Sequence, residues 1–154
     1  LMPLNKIPFT KEGYRKIEKD LQGLTQKRKK AVVSLQTARE MGDLSENAAY
    51  KGARLELNSI DREINRLSFL LKQGVVIETK NQGFVDFGSL VTLDNGTKQI
   101  TYKMVSGYES DPSKQKLSID SPLGKAIMGK KIGDKITLMT PFSQTTYTVK
   151  ILIP

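Results

Sequence analysis

The sequence predicts an α+β fold, in which an antiparallel α-helical coiled-coil hairpin precedes a small antiparallel β-domain with one short helix. Apolar residues recur at alternating steps of three and four on both sides of one short polar turn, residues 41–50. Such spacing forms a narrow seam that packs against a second helix. From Val75 onward, short β-rich runs separated by glycine and proline replace that spacing. We therefore expect two domains, at residues 1–76 and 77–154.

The first helix is expected to run from an N-cap at Thr10 to about Arg39, with Gly42 ending it, and the second from about Ser45 to Lys72. The seam residues are Tyr14, Ile17, Leu21, Leu24, Arg28, Ala31, Leu35 and Ala38 on the first helix and Ala53, Leu57, Ile60, Ile64, Leu67 and Leu71 on the second. Because the connection is short, the helices fold back on each other. About 30 residues per helix predict an arm of roughly 45 Å, locally loosened by Arg28 in the seam.

The C-terminal half is predicted to form a small sheet with one helix against it. Asp94-Asn95-Gly96 marks a hairpin turn, and Ser121-Pro122 opens a short helix over residues 123–128. The runs with strand character are Ser89–Leu93, Gln99–Val105, Lys116–Ile119, Lys135–Thr140 and Thr145–Leu152.

Composition limits the chemistry that this chain can perform. Without cysteine or histidine, it cannot form disulfides, thiol nucleophiles, the usual zinc sites or imidazole-dependent triads. Lysine and arginine outnumber aspartate and glutamate by 25 to 16, a net charge of +9. Up to Gly74 the count is 15 basic against 9 acidic residues, net +6, and beyond it 10 against 7, net +3. This excess favours a polyanionic partner such as nucleic acid.

The apolar runs are too short to span a bilayer, and the N-terminus lacks the apolar core of a signal peptide. We therefore expect a soluble, cytoplasmic protein with no membrane partner, and a monomer.

Two carboxylates in the polar turn, Asp43 and Glu46, are the leading candidates for chemistry. Their spacing leaves two interpretations open. As a capping box, Asp43 is the N-cap of the second helix and Glu46 closes the reciprocal bond. As metal ligands, the pair supplies part of a Mg²⁺ shell that another macromolecule completes. Leu44, apolar at a tip, fits capping poorly and suggests an insertion contact.

The same turn carries a resemblance to a known family. Gly42-Asp43-Leu44-Ser45-Glu46-Asn47-Ala48 followed by Tyr50 resembles the signature of the bacterial Gre transcript cleavage factors. Blocks that resemble other parts of the family follow in order along nearly the whole chain: Ile7–Gly13, Phe87-Gly88-Ser89, Tyr102–Val105, Ser121–Ala126 and Gly129–Asp134. Leu44 and the C-terminal blocks are more similar to the GreA type than to GreB.

The resemblance implies a transcription elongation factor that is not itself an enzyme. Its hairpin would enter the secondary channel of a backtracked RNA polymerase and stimulate cleavage of the nascent RNA 3′ end. Its C-terminal domain would be FKBP-like and dock at the channel rim. Asp43 and Glu46 would help hold a Mg²⁺ ion and its attacking water beside the polymerase's own metal. The implied supporting residues are Leu44 and Ser45, and the implied RNA or polymerase contacts are Arg39, Asn47, Tyr50 and Arg54.

Departures from the family pattern and two alternatives accompany this interpretation. Ala49 stands where the family usually carries an acid, so any auxiliary role of that carboxylate is lost. A regulatory factor that binds the channel without cleavage is the first alternative, although the intact acids argue against it. Prolyl isomerase activity is the second, and few aromatic residues are available to line a proline pocket: Tyr102, Tyr108, Phe142 and Tyr147.

Overall fold

The chain folds into two compact units. The computed structural model describes residues 6–42, 47–80 and 82–154. Residues Tyr14–Gly74 form the first, which we call the helical unit, and Lys6–Gly13 together with Val75–Pro154 form the second, the sheet unit. Long helices followed by a β-sheet with a short helix confirm the predicted α+β class.

Two antiparallel helices, α1 (Lys11–Arg39) and α2 (Ala48–Gln73), form the hairpin. Hydrogen bonds at three levels join the helices: the Tyr14 hydroxyl donates to the Leu71 carbonyl (3.0 Å), the Arg28 Nε donates to Asp61 Oδ1 (2.6 Å), and the Nδ2 of Asn47, just before α2, donates to the Ala38 carbonyl (2.8 Å). As the residue number rises along α1 it falls along α2, which establishes the antiparallel pairing. Gly42 and Asn47, the described residues on either side of the segment 43–46, therefore lie at the same end of the paired helices.

Burial along the helices follows the predicted seam. Every predicted seam residue is buried or half-buried except Arg28. This arginine reaches across to α2 and forms an exposed ion pair with the Asp61 carboxylate, whose hydrogen bond raises the pKa of the guanidinium. An ion pair therefore bridges the helices at the position where we predicted a loosening. Among the described residues, no helix combines the length and the apolar character needed to cross a bilayer.

The start of α1 is fixed within the sheet unit. Thr10 is the N-cap, since its Oγ1 accepts a hydrogen bond from the Gly13 N–H at 3.1 Å. The Glu109 carboxylate accepts hydrogen bonds from the Thr10 N–H at 2.9 Å and from the Thr10 hydroxyl at 2.6 Å. A Cβ atom at Gly13 would overlap that carboxylate. This glycine, unfavourable in a helix interior, is therefore explained by packing.

The sheet unit is built on five strands: Leu90–Asp94 (β3), Gln99–Val105 (β4), Lys116–Ser118 (β5), Lys135–Met139 (β6) and Gln144–Ile153 (β7). Their order in the sheet is β5-β4-β3-β7-β6. A short 3₁₀ turn (Pro112–Lys114) precedes β5, and helix α3 (Pro122–Ile127) follows it. The α3 N-cap is Ser121, whose hydroxyl accepts a hydrogen bond from the Gly124 N–H at 3.0 Å. The core residues are Val85, Val91, Leu93, Met104, Ile127, Ile136 and Val149.

Two features of the sheet unit differ from the predicted pattern. Strand β5 pairs parallel with β4, whereas the other pairs of the five-stranded sheet are antiparallel. A further pair, β1 (Ile7–Phe9) and β2 (Gly74–Val76), forms a two-stranded sheet where we predicted only an extended lead-in. The turn after β3 is as predicted: Gly96 has a φ of +94° and the Asn95 side chain accepts from the Lys98 N–H at 2.9 Å.

Candidate functional site: the hairpin tip

The hairpin tip, residues 39–50, begins where α1 ends. The last hydrogen bonds of its helical turn run from the Glu40 N–H to the Gln36 carbonyl and from the Met41 N–H to the Ala38 carbonyl, both at 3.2 Å. Gly42 then has a φ of +127°, a value that L-residues with a side chain rarely adopt. The backbone therefore leaves the helix at the glycine that we expected to end it.

Helix α2 begins at Ala48, three residues later than predicted, because Asn47 is its N-cap. Asn47 has an extended backbone, with a φ of −80° and a ψ of 101°. Its side-chain oxygen accepts a hydrogen bond from the Tyr50 N–H at 3.0 Å. This bond satisfies one of the N–H groups that lack a partner in the first turn of a helix. The interpretation of Asp43 as the N-cap of this helix is therefore wrong.

The same asparagine side chain also connects the two helices. While its oxygen caps α2, its Nδ2 donates at 2.8 Å to the carbonyl of Ala38, near the end of α1. Ala38, the residue that carries this carbonyl, is only 4% exposed. We call these two hydrogen bonds the Asn47 bridge. The predicted contact of Asn47 with RNA or polymerase stays a prediction, and the structure adds an internal role that sequence reasoning missed.

A cation–π contact joins the same two helix ends. The guanidinium carbon of Arg39 lies 5.8 Å from the centroid of the Tyr50 ring, within the range of an attractive interaction. Arg39 is the last residue of α1, and Tyr50 lies in the first turn of α2. Arg54 follows one turn beyond Tyr50 and is exposed. The structure thus brings Arg39, Asn47 and Tyr50 together and leaves the Arg54 guanidinium at the surface.

The remaining predicted site residues, Asp43, Leu44, Ser45 and Glu46, lie outside the described residues. Elsewhere in the part of the chain that the structure describes, no group of three or more histidine, cysteine, aspartate or glutamate residues could hold a metal ion. Asp43 and Glu46 offer carboxylate oxygens, the hard donors that Mg²⁺ prefers, but two side chains do not fill its six coordination positions. A site built on these two acids alone would be incomplete.

The aromatic residues of the sheet unit lie in two different environments. Tyr102 and Tyr147 are half-buried and pack against the core, and burial raises the pKa of Tyr102. Tyr108 is 57% exposed, and Phe142, between β6 and β7, is 98% exposed. This division between core and surface gives the isomerase alternative no support.

Comparison with known proteins identifies relatives of both parts of the chain. The family model described as transcription elongation factor, N-terminal, matches residues 7–76. The family model described as transcription elongation factor, GreA/GreB, C-terminal, matches residues 79–152. Together they cover nearly the whole sequence.

Individual relatives agree in name and in extent. Transcription elongation factor GreA of Neorickettsia sennetsu is 37% identical over 151 residues, covering 95% of each chain. Transcription elongation factor GreA of Geobacillus kaustophilus is 39% identical over 142 residues, covering 88% of this chain and 89% of the relative. Among solved structures, GreA factor homolog 1 of Thermus thermophilus is 25% identical, with a TM-score of 0.46, covering 97% of this chain and 99% of that one.

Proposed function

Since the chain belongs to the GreA/GreB family of transcription elongation factors, we propose that it rescues backtracked RNA polymerase by stimulating cleavage of the nascent RNA 3′ end. In this proposal the hairpin enters the secondary channel of the polymerase, in the cytoplasm, and the polymerase performs the hydrolysis. The protein contributes a tip that completes a site it cannot form alone.

The observation that carries the proposal is the antiparallel pairing of α1 and α2. It brings Gly42 and Asn47, which flank the segment 43–46, to one end of a hairpin whose first helix has 29 residues, about 43 Å of helix. A hairpin of this length can carry a few side chains into a narrow channel. Asp43 and Glu46 belong to the connection that it would carry.

The assignment of the N-cap supports a functional role for these acids. Because Asn47 caps α2, the helix does not require Asp43 as its N-cap. Asp43 and Glu46 would hold a Mg²⁺ ion jointly with polymerase, and Ser45 would orient the tip or the water. When bound there, the ion would supply Lewis acidity that activates an attacking water at neutral pH. The chain itself would contribute negative charge and oxygen donors.

Contacts with the partner would come from the rest of the tip and from the sheet unit. Arg39 and Arg54 are positioned on the two helices beside the connection and would steer toward RNA phosphates or the active-centre loops of polymerase. Leu44, Asn47 and Tyr50 would complete the contact surface within the channel. Residues 77–154, as an FKBP-like domain, would dock at its rim.

A transcript-cleavage assay tests the proposal. A backtracked RNA polymerase complex with labelled RNA is incubated with wild type or with the double variant Asp43→Asn, Glu46→Gln. We expect wild type to shorten the RNA and the variant to bind without shortening it, because amides keep the shape and lose the charge. Equal cleavage by both proteins would remove the acids from the mechanism, and binding without cleavage by wild type would support the regulatory alternative.

A further inference from the structure

We propose that a mostly apolar groove at the tip end of the hairpin binds an apolar segment of RNA polymerase. The groove has a volume of about 410 Å³. The residues that line it all belong to the helical unit: Val33, Ser34, Thr37, Ala38, Met41, Ala49, Ala53 and Glu56. We call it the apolar groove. The identity of the partner rests on the proposed function, whereas the groove itself is formed by described residues alone.

Helical spacing forms the two walls of the groove. Val33, Thr37 and Met41 follow each other at steps of four, so they lie along one side of α1 and the turn that ends it. On α2, Ala49 and Ala53 are also four residues apart, and both line the groove. Because an alanine side chain ends at Cβ, the α2 wall is low and leaves space between the helices.

The apolar side chains of the α1 wall are open to solvent. Val33 and Met41 are 61% and 73% exposed. Single apolar residues on a protein surface are ordinary, but these two border a concave surface together with three alanines. Concave apolar surfaces are typical of sites where a partner binds. The exposure of Val33 and Met41 therefore indicates a binding surface.

The charge of the groove favours a protein partner over nucleic acid. The chain has a net charge of +9, yet none of the described residues that line the groove is basic, and Glu56 is the one charged residue among them. A carboxylate repels phosphate groups, whose recognition depends on lysine and arginine. The exposed arginines near the tip, Arg39 and Arg54, are not part of the lining. The groove therefore fits an apolar protein segment.

The position of the groove indicates which protein would cover it. Val33 lies six residues before the end of α1, which is about 9 Å along the helix axis. Under the proposed function, this end of the hairpin lies within the secondary channel, so polymerase surrounds the groove. An apolar segment of the channel wall would remove Val33 and Met41 from water, and this burial would strengthen binding.

Two variants remove the apolar character of the groove and leave the seam residues unchanged. Val33→Glu places a carboxylate on the groove wall, and Met41→Gln keeps the length of the side chain but adds an amide. Both positions are exposed, so neither change leaves a cavity in the interior. The matched control is Val32→Glu, the same substitution at the adjacent residue, which does not line the groove. Circular dichroism and thermal melts should show that all three variants keep the fold of wild type.

The expected result is a loss of affinity that depends on the position of the substitution. Binding to the backtracked complex is measured by competition with fluorescently labelled wild type. Val33→Glu should weaken binding by about tenfold or more, because a carboxylate buried against an apolar segment loses its hydration. Met41→Gln should weaken binding by about three- to tenfold, since less apolar surface is buried in the complex. Val32→Glu should bind as wild type does.

Two binding results would overturn the inference. If Val33→Glu binds as tightly as wild type, no segment of polymerase occupies the groove. If Val32→Glu loses as much affinity as Val33→Glu, the added negative charge on α1 is responsible, and the groove has no specific part in binding.

A crosslinking experiment identifies the occupant of the groove. The photoreactive amino acid p-benzoylphenylalanine replaces Met41, and the protein is irradiated in the backtracked complex with labelled RNA. We expect crosslinks to polymerase, at an apolar segment that mass spectrometry identifies. Crosslinks to RNA would assign the groove to nucleic acid, and crosslinks between two copies of this chain would assign it to self-association. Either result would overturn the inference.

Failure of the proposed function gives a different pattern from failure of this inference. If wild type binds polymerase without stimulating cleavage, and Val33→Glu binds more weakly, the proposed function is wrong and the groove remains a polymerase contact. If wild type stimulates cleavage and Val33→Glu binds equally well, the proposed function stands and the inference about the groove is wrong. If wild type does not bind polymerase, both are wrong.

Discussion

The helical unit and the sheet unit are stabilised in different ways. In the sheet unit, Val85, Val91, Met104, Ile127 and Val149 are all 0% exposed and form one cluster between the sheet and α3. In the helical unit, few side chains are fully buried, and most seam side chains are only half-buried. A side chain surrounded by close-packed neighbours leaves little room for them to move when it is changed. A half-buried seam residue has solvent on one side, so its neighbours can shift more easily.

The two units also differ in where the candidate functional residues lie. The sheet unit is built around one continuous cluster of fully buried side chains. The hairpin carries its candidate chemistry at an end, where three described side chains hold the two helix termini together. Under the proposed function, the two helices present that end to the polymerase. The variants below test this contrast.

The largest expected effect is in the sheet core. Met104→Ala removes a fully buried side chain and should lower the free energy of unfolding by about 2–5 kcal/mol. Leu24→Ala, at a half-buried seam position, should cost about 1–2 kcal/mol, because less apolar area is removed from the interior. Urea unfolding followed by circular dichroism measures both. Equal losses in the free energy of unfolding would contradict the difference in packing between the sheet core and the helical seam.

Two helical glycines, one in each unit, differ in the space around them. A Cβ atom at Gly124 of α3 would overlap the backbone carbonyl oxygen of Ser118, so Gly124→Ala should destabilise by about 1–3 kcal/mol despite its better helix propensity. Gly23 of α1 has nothing within 4 Å of such an atom, and Gly23→Ala should stabilise by about 1 kcal/mol. Thermal melts of the two variants should move in opposite directions. Shifts of the same sign would contradict the packing argument.

The exposed ion pair in the seam predicts a smaller effect. The side chains of Arg28 and Asp61 are 46% and 39% exposed, and an exposed pair adds little to stability because water screens the two charges. Arg28→Leu places an apolar residue in the seam, and we expect it to leave the free energy of unfolding unchanged or to raise it slightly. Arg28→Ala, which removes the pair and adds little apolar surface, is the control and should be mildly destabilising. A large loss of stability with leucine would show that the pair holds the hairpin together.

The smallest expected effect is a pH dependence of the hairpin. Hydrogen bonds from Arg66 lower the pKa of Glu63, so this pair stabilises the fold above the ordinary carboxyl range, and the stabilisation is lost as pH falls through the folded pKa. Because both side chains are about half exposed, the contribution is a few tenths of a kcal/mol. Arg66→Gln should reduce the decrease in melting temperature between pH 7 and pH 3 by a small amount. An unchanged decrease would show that the pair contributes nothing.

Much of the fold could be predicted because it is encoded in local patterns. The seam follows from apolar spacing, and β4 has the predicted bounds because its alternation is flanked by a strong Asn-Gly turn. The parallel pairing of β5 could not be predicted, since three residues carry no signal for the direction of a partner. The β1–β2 pair joins segments more than 60 residues apart, which local pattern does not reveal.

The candidate site was predictable in part. Arg39, Asn47 and Tyr50 were named from the resemblance, and the structure brings them together at the tip. The choice of N-cap could not be settled locally, because Asp43, Ser45 and Asn47 are all residues that cap helices. The bond from Asn47 to Ala38 depends on the return of the second helix to the first, and only the folded hairpin shows it.

The most direct test of the account is a competition between wild type and Asp43→Asn, Glu46→Gln on the backtracked polymerase complex. In the proposed function, the hairpin and the sheet unit bind polymerase, and the two acids serve only the cleavage chemistry. Excess double variant should therefore block cleavage by wild type, at a concentration close to its own dissociation constant. If excess variant leaves wild-type cleavage unchanged, the acids are needed for binding, and the separation of roles within this molecule is wrong.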